Sequence, residues 1–369
     1  MSDIKKLFLI MGVFAMATVG VVLSAETDDE GQADKIAKII LDTLIAKQKA
    51  NPGATVQRDA HAKHHGCVTA QFTVLDTVLD KLPASARAGV FKAPHTYPAW
   101  IRFSNGSGQS QNDSDGDGRG MAIKLMEVPN AKILDAEKDE QTQDFLMINH
   151  PVFFVRNPAD YVEFTKATAS GSIKDFIFPS WNPLTWRTHE ALIGEEIKLT
   201  KVVNPLESPY WSETPYQLGE EQIKFSVTPC LSASGLYTAT ASPSFLRDNM
   251  KKELDVHGAC YEFNVQIRTH KDPNDKTMPI EDPTINWDDA KNPAAPYVKV
   301  AVINIPKQDF LPNQDFCENL SYTPWHSLPE HRPLGGINLV RKTVYETVSK
   351  FRHEQNKADR KEPTGFSIH

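Results

Sequence analysis

Between residues 66 and 305 the chain is a train of short β-rich runs cut by turn residues. The runs "CVTAQFTVL", "AWIRFSN", "MAIKLMEV", "DFLMINHPVFFV", "IKFSVTPC", "CYEFNVQIRTH" and "YVKVAVINI" are separated by Gly, Pro, Asn and Asp. Runs of this length, rich in β-branched and aromatic residues and bounded by such turns, read as strands. Several alternate apolar and polar positions, as antiparallel strands do when one face is buried. They predict a large β-barrel-like body. Mixed polar segments near residues 159–171, 184–203 and 242–255 predict helical excursions from it.

The flanks differ from this body. "ADKIAKIILDTLIAKQKANPG" carries Ile36, Ile39, Ile40, Leu44 and Ile45 at helical spacing and is stopped by "NPG". Past Ile305 a proline-rich irregular stretch leads into one strong helix, "INLVRKTVYETVSKFRHEQNK". The expected organisation is one α+β domain: an N-terminal helical arm over 26–55, a barrel core over 56–305, and a wrapping segment with its helix over 306–369. No internal repeat is present.

The first residues have the order of a secretory signal over 1–25: Lys5 and Lys6, an apolar run from Leu7 to Leu23, then Ser24 and Ala25. That reading places the protein outside the cytoplasm, in a bacterial periplasm. The alternative is an uncleaved anchor at residues 7–25 holding it to the inner membrane, and only then is membrane contact expected. A net charge of −7 argues against a nucleic-acid partner. Cys67, Cys230, Cys260 and Cys317 form no paired-cysteine metal motif, and buried thiols are expected at least as readily as disulfides.

Three stretches bear on chemistry. "DSDGDG" (Asp113–Gly118) matches the opening half of a calcium loop, but its twelfth position is Lys124 rather than Glu, so a solvated turn is expected. "RDAHAKHHGC" holds His61, His64 and His65. Ala62 stands where a zinc helix would need Glu, and a strand follows at once. Solvent exposure or structural hydrogen bonding is expected for His64 and His65, and His61 awaits a partner. On the last helix Arg341, Tyr345 and Arg352 fall within about 40° of one another. Two arginines on such a stripe are costly unless an anion sits there; for the helix taken alone, a partly exposed face with aliphatic stems packed down is the preferred reading. A guanidinium one turn from a phenol favours the phenolate, which is a good ligand for ferric iron.

Taken in order, these segments resemble the haem catalase superfamily, specifically its short, catalase-related peroxidase branch. The stretches concerned are "RDAHAK", "IRFSNGSG", "DGRGMAIKL", "DFLMINHPVFFVRNP", "YTPWHSLPEHRPLGGIN" and Arg341-x-x-x-Tyr345. The resemblance implies a catalase-like antiparallel barrel with flanking helices and a proximal helix, without the extra C-terminal helical domain of full-size catalases. It implies haem b, with Tyr345 as iron ligand and Arg341 as its cationic partner. Arg58, Arg102 and Arg352 would hold the propionates. His61 and Asn149 would act on the open iron face, with Ser104 bonded to the His61 ring, and Phe154 and Tyr161 would line the pocket. Ala60 replaces the Val or Thr usual before the distal histidine. The implied activity is therefore a peroxidase acting on hydrogen peroxide or organic hydroperoxides, with an organic reductant and weak or no catalase activity. The alternatives are a haem-dependent hydroperoxide isomerase or lyase, and a non-enzymatic exported haem-binding protein. A homodimer is compatible with all three.

Overall fold

The structure, a computed structural model, describes residues 28–272, 275–287 and 295–366. The proposed signal or anchor over 1–25 lies outside the described residues. Nine strands are present among the described residues: β1 (His64–Val74), β2 (His95–Asn105), β3 (Arg119–Leu125), β4 (Gln143–Ile148), β5 (Tyr210–Trp211), β6 (Tyr216–Leu218), β7 (Glu221–Pro229), β8 (Ala259–Ile267) and β9 (Tyr297–Ile305). Every pairing is antiparallel, in the order β5-β4-β3-β2-β1-β9-β8-β7. Tyr210 and Trp211 of β5 then pair with Val227 and Ser226 of β7, closing eight strands into a barrel with β6 as a side hairpin on β7. Closure removes the open edges that would otherwise invite pairing with another chain.

Period-two alternation builds the core. Along β1 the side chains of Val68, Ala70, Phe72 and Val74 point inward and are buried, while Thr69, Gln71 and Thr73 face out. Phe72, Phe145, Phe225 and Phe263 meet inside with Phe91, their ring centroids 5.2–6.3 Å apart, so the barrel is packed with side chains rather than hollow.

Among the described residues five long helices surround it: α1 (28–50), α2 (Pro158–Ala169), α3 (Thr188–Leu199), α4 (Phe245–Val256) and α5 (Gly336–Asn356). Ala33, Ile36, Ala37 and Leu44 of α1 pack on Val340, Val344 and Val348 of α5 and on Val162 of α2. This aliphatic seam fixes α5 against the barrel. Among the described residues no helix is long and apolar enough to cross a membrane.

Of the two alternatives left open for the cysteines, the structure has disulfides: Cys67 to Cys317 and Cys230 to Cys260. The acidic stretch is the expected turn, exposed at Ser114, Asp115 and Gly116, but its first residue departs from that expectation. Asp113 is buried, accepting from Lys63 Nζ (2.6 Å), Asn105 Nδ2 (3.1 Å) and the Leu246 N–H (2.9 Å). Its charge is matched by Lys63, which is why a carboxylate is tolerated there.

Candidate active site

His61 lies just before β1, in the left-handed backbone region at φ +58°. Its N–H donates to the Gly106 carbonyl (2.9 Å), and its own carbonyl accepts from Arg102 Nη2 (2.8 Å). A non-glycine residue is held in that region only when its surroundings over-determine it. The ring then lies on β2, with Nδ1 3.1 Å from Ser104 Oγ. Gly120 of β3 pairs with Ser104 and makes room for the ring: a Cβ there would sit 2.5 Å from His61 Nδ1 and 2.7 Å from Ser104 Oγ. Burial, and then the positive charge of Arg102, push the imidazole pKa down to about 4, so the ring is neutral at pH 7.

Asn149 follows β4. Its Oδ1 accepts from the Arg119 N–H (2.6 Å), and its own N–H donates to the Arg119 carbonyl (2.9 Å). That double clasp fixes the amide orientation and leaves Nδ2 as a buried donor with no acceptor. Several buried polar atoms among the described residues lack a hydrogen-bond partner, and this one is a donor available to a ligand acceptor.

The three arginines predicted to hold propionates converge. Arg58 donates to Glu318 Oε1 (3.1 Å), to the Glu318 carbonyl (3.2 Å) and to the Leu320 carbonyl. Arg352 donates to the Glu318 carbonyl (2.6 Å) and Ser321 Oγ (3.1 Å). Arg102 keeps a buried Nε without a partner. Burial first, and then the charges of its neighbours, lower the pKa of Arg102 and bring Arg352 to about 9. Among the described residues Glu318 is the one carboxylate ion-paired with this trio, through Arg58. A buried surplus of two positive charges remains, and it fits a dianionic occupant.

On α5, Arg341 Nη1 donates to Thr214 Oγ1 (3.0 Å), Asn338 Oδ1 (3.2 Å) and the Tyr216 hydroxyl (3.3 Å). Its guanidinium lies 5.7 Å from the centroid of the Tyr345 ring. Burial raises the Tyr345 pKa above its ordinary value, while the charge and hydrogen bonding of Arg341 oppose the rise. In the protein alone desolvation wins, so the arginine by itself does not create the phenolate expected from the sequence. A bound metal cation would reverse that balance. Tyr161 lies beside this group, its ring 5.7 Å from Phe153 and 5.8 Å from Phe154. The His61 and Tyr345 sides lie within electrostatic reach of each other: Arg341 lowers the His61 pKa, and Asp59, two residues before His61, raises those of Tyr345 and Tyr161. His61, Tyr345, Phe154 and Tyr161 are all half-buried.

His64 and His65 take other work. His64 Nε2 lies 3.6 Å from Glu318 Oε2, and His65 is fully buried with Nε2 3.0 Å from Asn105 Oδ1. A bulge between His64 and Gly66 places them so. Structural bonding, not solvent exposure, accounts for His65. Residues missed from sequence are Gly120, Glu318, Asp59 and Glu213. Glu213 is a buried carboxyl at φ +60°, pushed up to about 8 by burial against the pull of Arg341 and Lys224. Only Gly120 carried a readable signal, a glycine inside a strand pattern, which marks close approach.

Residues 34–181 match the sequence model of the family described as Catalase. The eight-stranded barrel with its flanking helices has the catalase fold, and the part of the chain over 34–181 is similar in sequence to the catalase family. Similar solved structures include a fungal catalase (14% identity, TM-score 0.62, 84% of this chain and 62% of that one). Catalase A from Saccharomyces cerevisiae matches at 16% identity and TM-score 0.62, over 83% of this chain and 63% of that one. A bacterial catalase matches at 14% and 0.59, over 85% and 60%. The chain thus spans about three-fifths of the length of these catalases, and at such identities the likeness is one of fold. No curated protein matches the sequence.

Proposed function

We propose that the chain binds haem b and reduces hydrogen peroxide or organic hydroperoxides at the expense of an organic reductant, with at most weak disproportionation of hydrogen peroxide. The donor set suits that group: a phenol backed by a guanidinium for the iron, and three arginines with surplus charge for two propionates. Bound there, ferric haem would supply the Lewis acidity and redox equivalents that O–O cleavage needs.

The residues of the chain supply the proton traffic. With Nδ1–H donating to Ser104 Oγ, neutral His61 presents Nε2 as a base. It takes the proton from the near peroxide oxygen and returns it to the far one as the O–O bond breaks. The Asn149 Nδ2 donates to that departing oxygen, the acceptor it otherwise lacks. The balance is ROOH + 2 H⁺ + 2 e⁻ → ROH + H₂O, with the electrons coming from the organic reductant. The observation that carries this reading is the unpartnered Asn149 amide, taken together with the buried, neutral imidazole of His61.

The test is a haem titration followed by absorption, with oxygen evolution and dye oxidation measured after adding peroxide. Tyr345→Phe should abolish the ferric tyrosinate spectrum. His61→Ala and Asn149→Ala should keep the haem and lose turnover. Unchanged turnover in both distal variants would leave a haem carrier instead, and lipid-hydroperoxide rearrangement without dye oxidation would leave an isomerase.

A further inference from the structure

Residues 176–186, "FIFPSWNPLTW", contain no charged side chain. They link the end of the short helix Ile173–Ile177 to α3, and they carry the most exposed large apolar residues among those described. Trp181 is 99% and Leu184 94% exposed, with Phe178 and Trp186 also outside. Isolated exposed apolar residues need no explanation, but four within nine positions do.

The loop is a built knob. Asn182 Oδ1 accepts from the Leu184 N–H (3.1 Å), Ser180 Oγ and Thr185 Oγ1 bond at 2.8 Å, and Trp186 Nε1 donates to the Ser180 carbonyl (2.9 Å). The Phe178 and Trp186 rings meet edge-on at 5.1 Å. The Arg187 N–H donates to the Ile177 carbonyl (3.0 Å), which closes the base. This scaffold satisfies the loop internally and turns Trp181 and Leu184 outward, so exposing them costs no further ordering on docking.

Its place in the molecule points to the occupant. Arg187 grips Asp160 of α2 (2.9 Å), and Pro158 at the start of that helix lies against Gly336, which Asp29 of α1 also touches. The first turn of α1 and the base of the knob therefore share one side of the protein. Four residues separate the apolar run Leu7–Leu23 from residue 28, a span of about 17 Å at full extension. Were that run a membrane anchor, as one reading of the sequence has it, it would hold this side near a bilayer. Tryptophan flanked by apolar residues without charge is the chemistry that the membrane interface favours. A narrow projecting tip also buries little area against a second copy.

We infer that the 176–186 knob is a membrane-docking element that inserts Trp181 and Leu184 into the interfacial zone of a lipid bilayer.

The experiment uses the full chain as isolated, with phosphatidylethanolamine–phosphatidylglycerol vesicles carrying brominated acyl chains. Tryptophan emission should be quenched, and Trp181→Phe should remove most of that quenching while vesicle binding persists. The double variant Trp181→Ala/Leu184→Ala should lower vesicle partitioning about tenfold or more, with circular dichroism and melting temperature unchanged. Two outcomes would overturn the inference. One is quenching absent, or identical in Trp181→Phe. The other is a lipid-free dimer that the double variant converts to monomer, which would make a second copy the occupant.

Discussion

His61 Nδ1 and Ser104 Oγ lie 3.1 Å apart, and the Cα of Gly120 leaves no room for a methyl group beneath that pair. β2 and β3 set this arrangement, since Ser104 and Gly120 are paired across the strands. Gly120→Ala would place a carbon 2.5–2.7 Å from three ring and hydroxyl atoms, and the imidazole must swing away. Misplacing a proton-transfer group by about 1 Å costs on the order of 10²-fold. Steady-state turnover with peroxide should fall by about that factor, with haem affinity and the melting temperature little changed. Ser104→Ala, which loosens the ring without displacing it, should cost less, about tenfold.

Much of this is legible in the sequence. The strand runs carry period-two alternation, and the last helix carries Arg341, Tyr345 and Arg352 on one face, so the barrel and the proximal helix could both be read locally. What escaped depends on non-local partners. Asp113 reads as a loop acid until Lys63, 50 residues away, is seen beside it. Cys67 and Cys317 are 250 residues apart, and no local pattern pairs them. Glu318 enters the arginine cluster through a fold-level contact with Arg58, 260 residues away.

On the proposed function, the Cys67–Cys317 bond should bear on haem retention as well as stability. Cys317 precedes Glu318, whose side chain binds Arg58 and whose carbonyl accepts from Arg58 and Arg352. Cutting a link that closes so long a loop costs about 2–5 kcal/mol. Cys67→Ser/Cys317→Ser should therefore melt earlier by several degrees. It should also release haem faster to an apomyoglobin acceptor, because the segment that aligns two of the three arginines loses its tether. Equal release rates in variant and wild type would confine the disulfide to stability.

Acid should unfold the protein through its buried histidines. His331 Nε2 accepts from the Val90 N–H (3.0 Å), with its ring edge-on to Phe91 and Phe145, and burial lowers its pKa to about 3. The unfolded value is near 6.5. Between these values the unfolded chain binds more protons, so stability rises with pH there and is lost as pH falls from 6.5 toward 3. One such group contributes up to about 1.4 kcal/mol per pH unit in that window. His331→Gln can keep an acceptor for Val90 but cannot titrate. Urea midpoints measured from pH 4 to 7 should therefore slope less steeply in the variant, by up to one proton.

Lys124 locks the C-terminal segment to the barrel. Its Nζ is fully buried on β3, 2.6 Å from Asp144 Oδ1 and 2.6 Å from Glu362 Oε2. The Thr323 N–H donates to the other Asp144 oxygen (2.9 Å), and Thr142 Oγ1 donates to Glu362 (2.8 Å). Lys124→Met would leave Asp144 facing Glu362 with Arg360, 3.9 Å from Glu362 Oε1, as a nearby cation, a loss on the order of 3–5 kcal/mol by analogy with other broken buried pairs. Urea unfolding at pH 7 should show that loss, and it should shrink on acidification as one carboxyl takes up a proton. Glu362 should also detach, opening the chain after Asn356 to limited proteolysis. Replacing Asp144 and Glu362 with Leu in the Lys124→Met background removes the unpaired charges, so most of the stability should return while the tail stays protease-sensitive. A triple variant no more stable than Lys124→Met alone would show that packing of the lysine stem, and not charge balance, holds this junction.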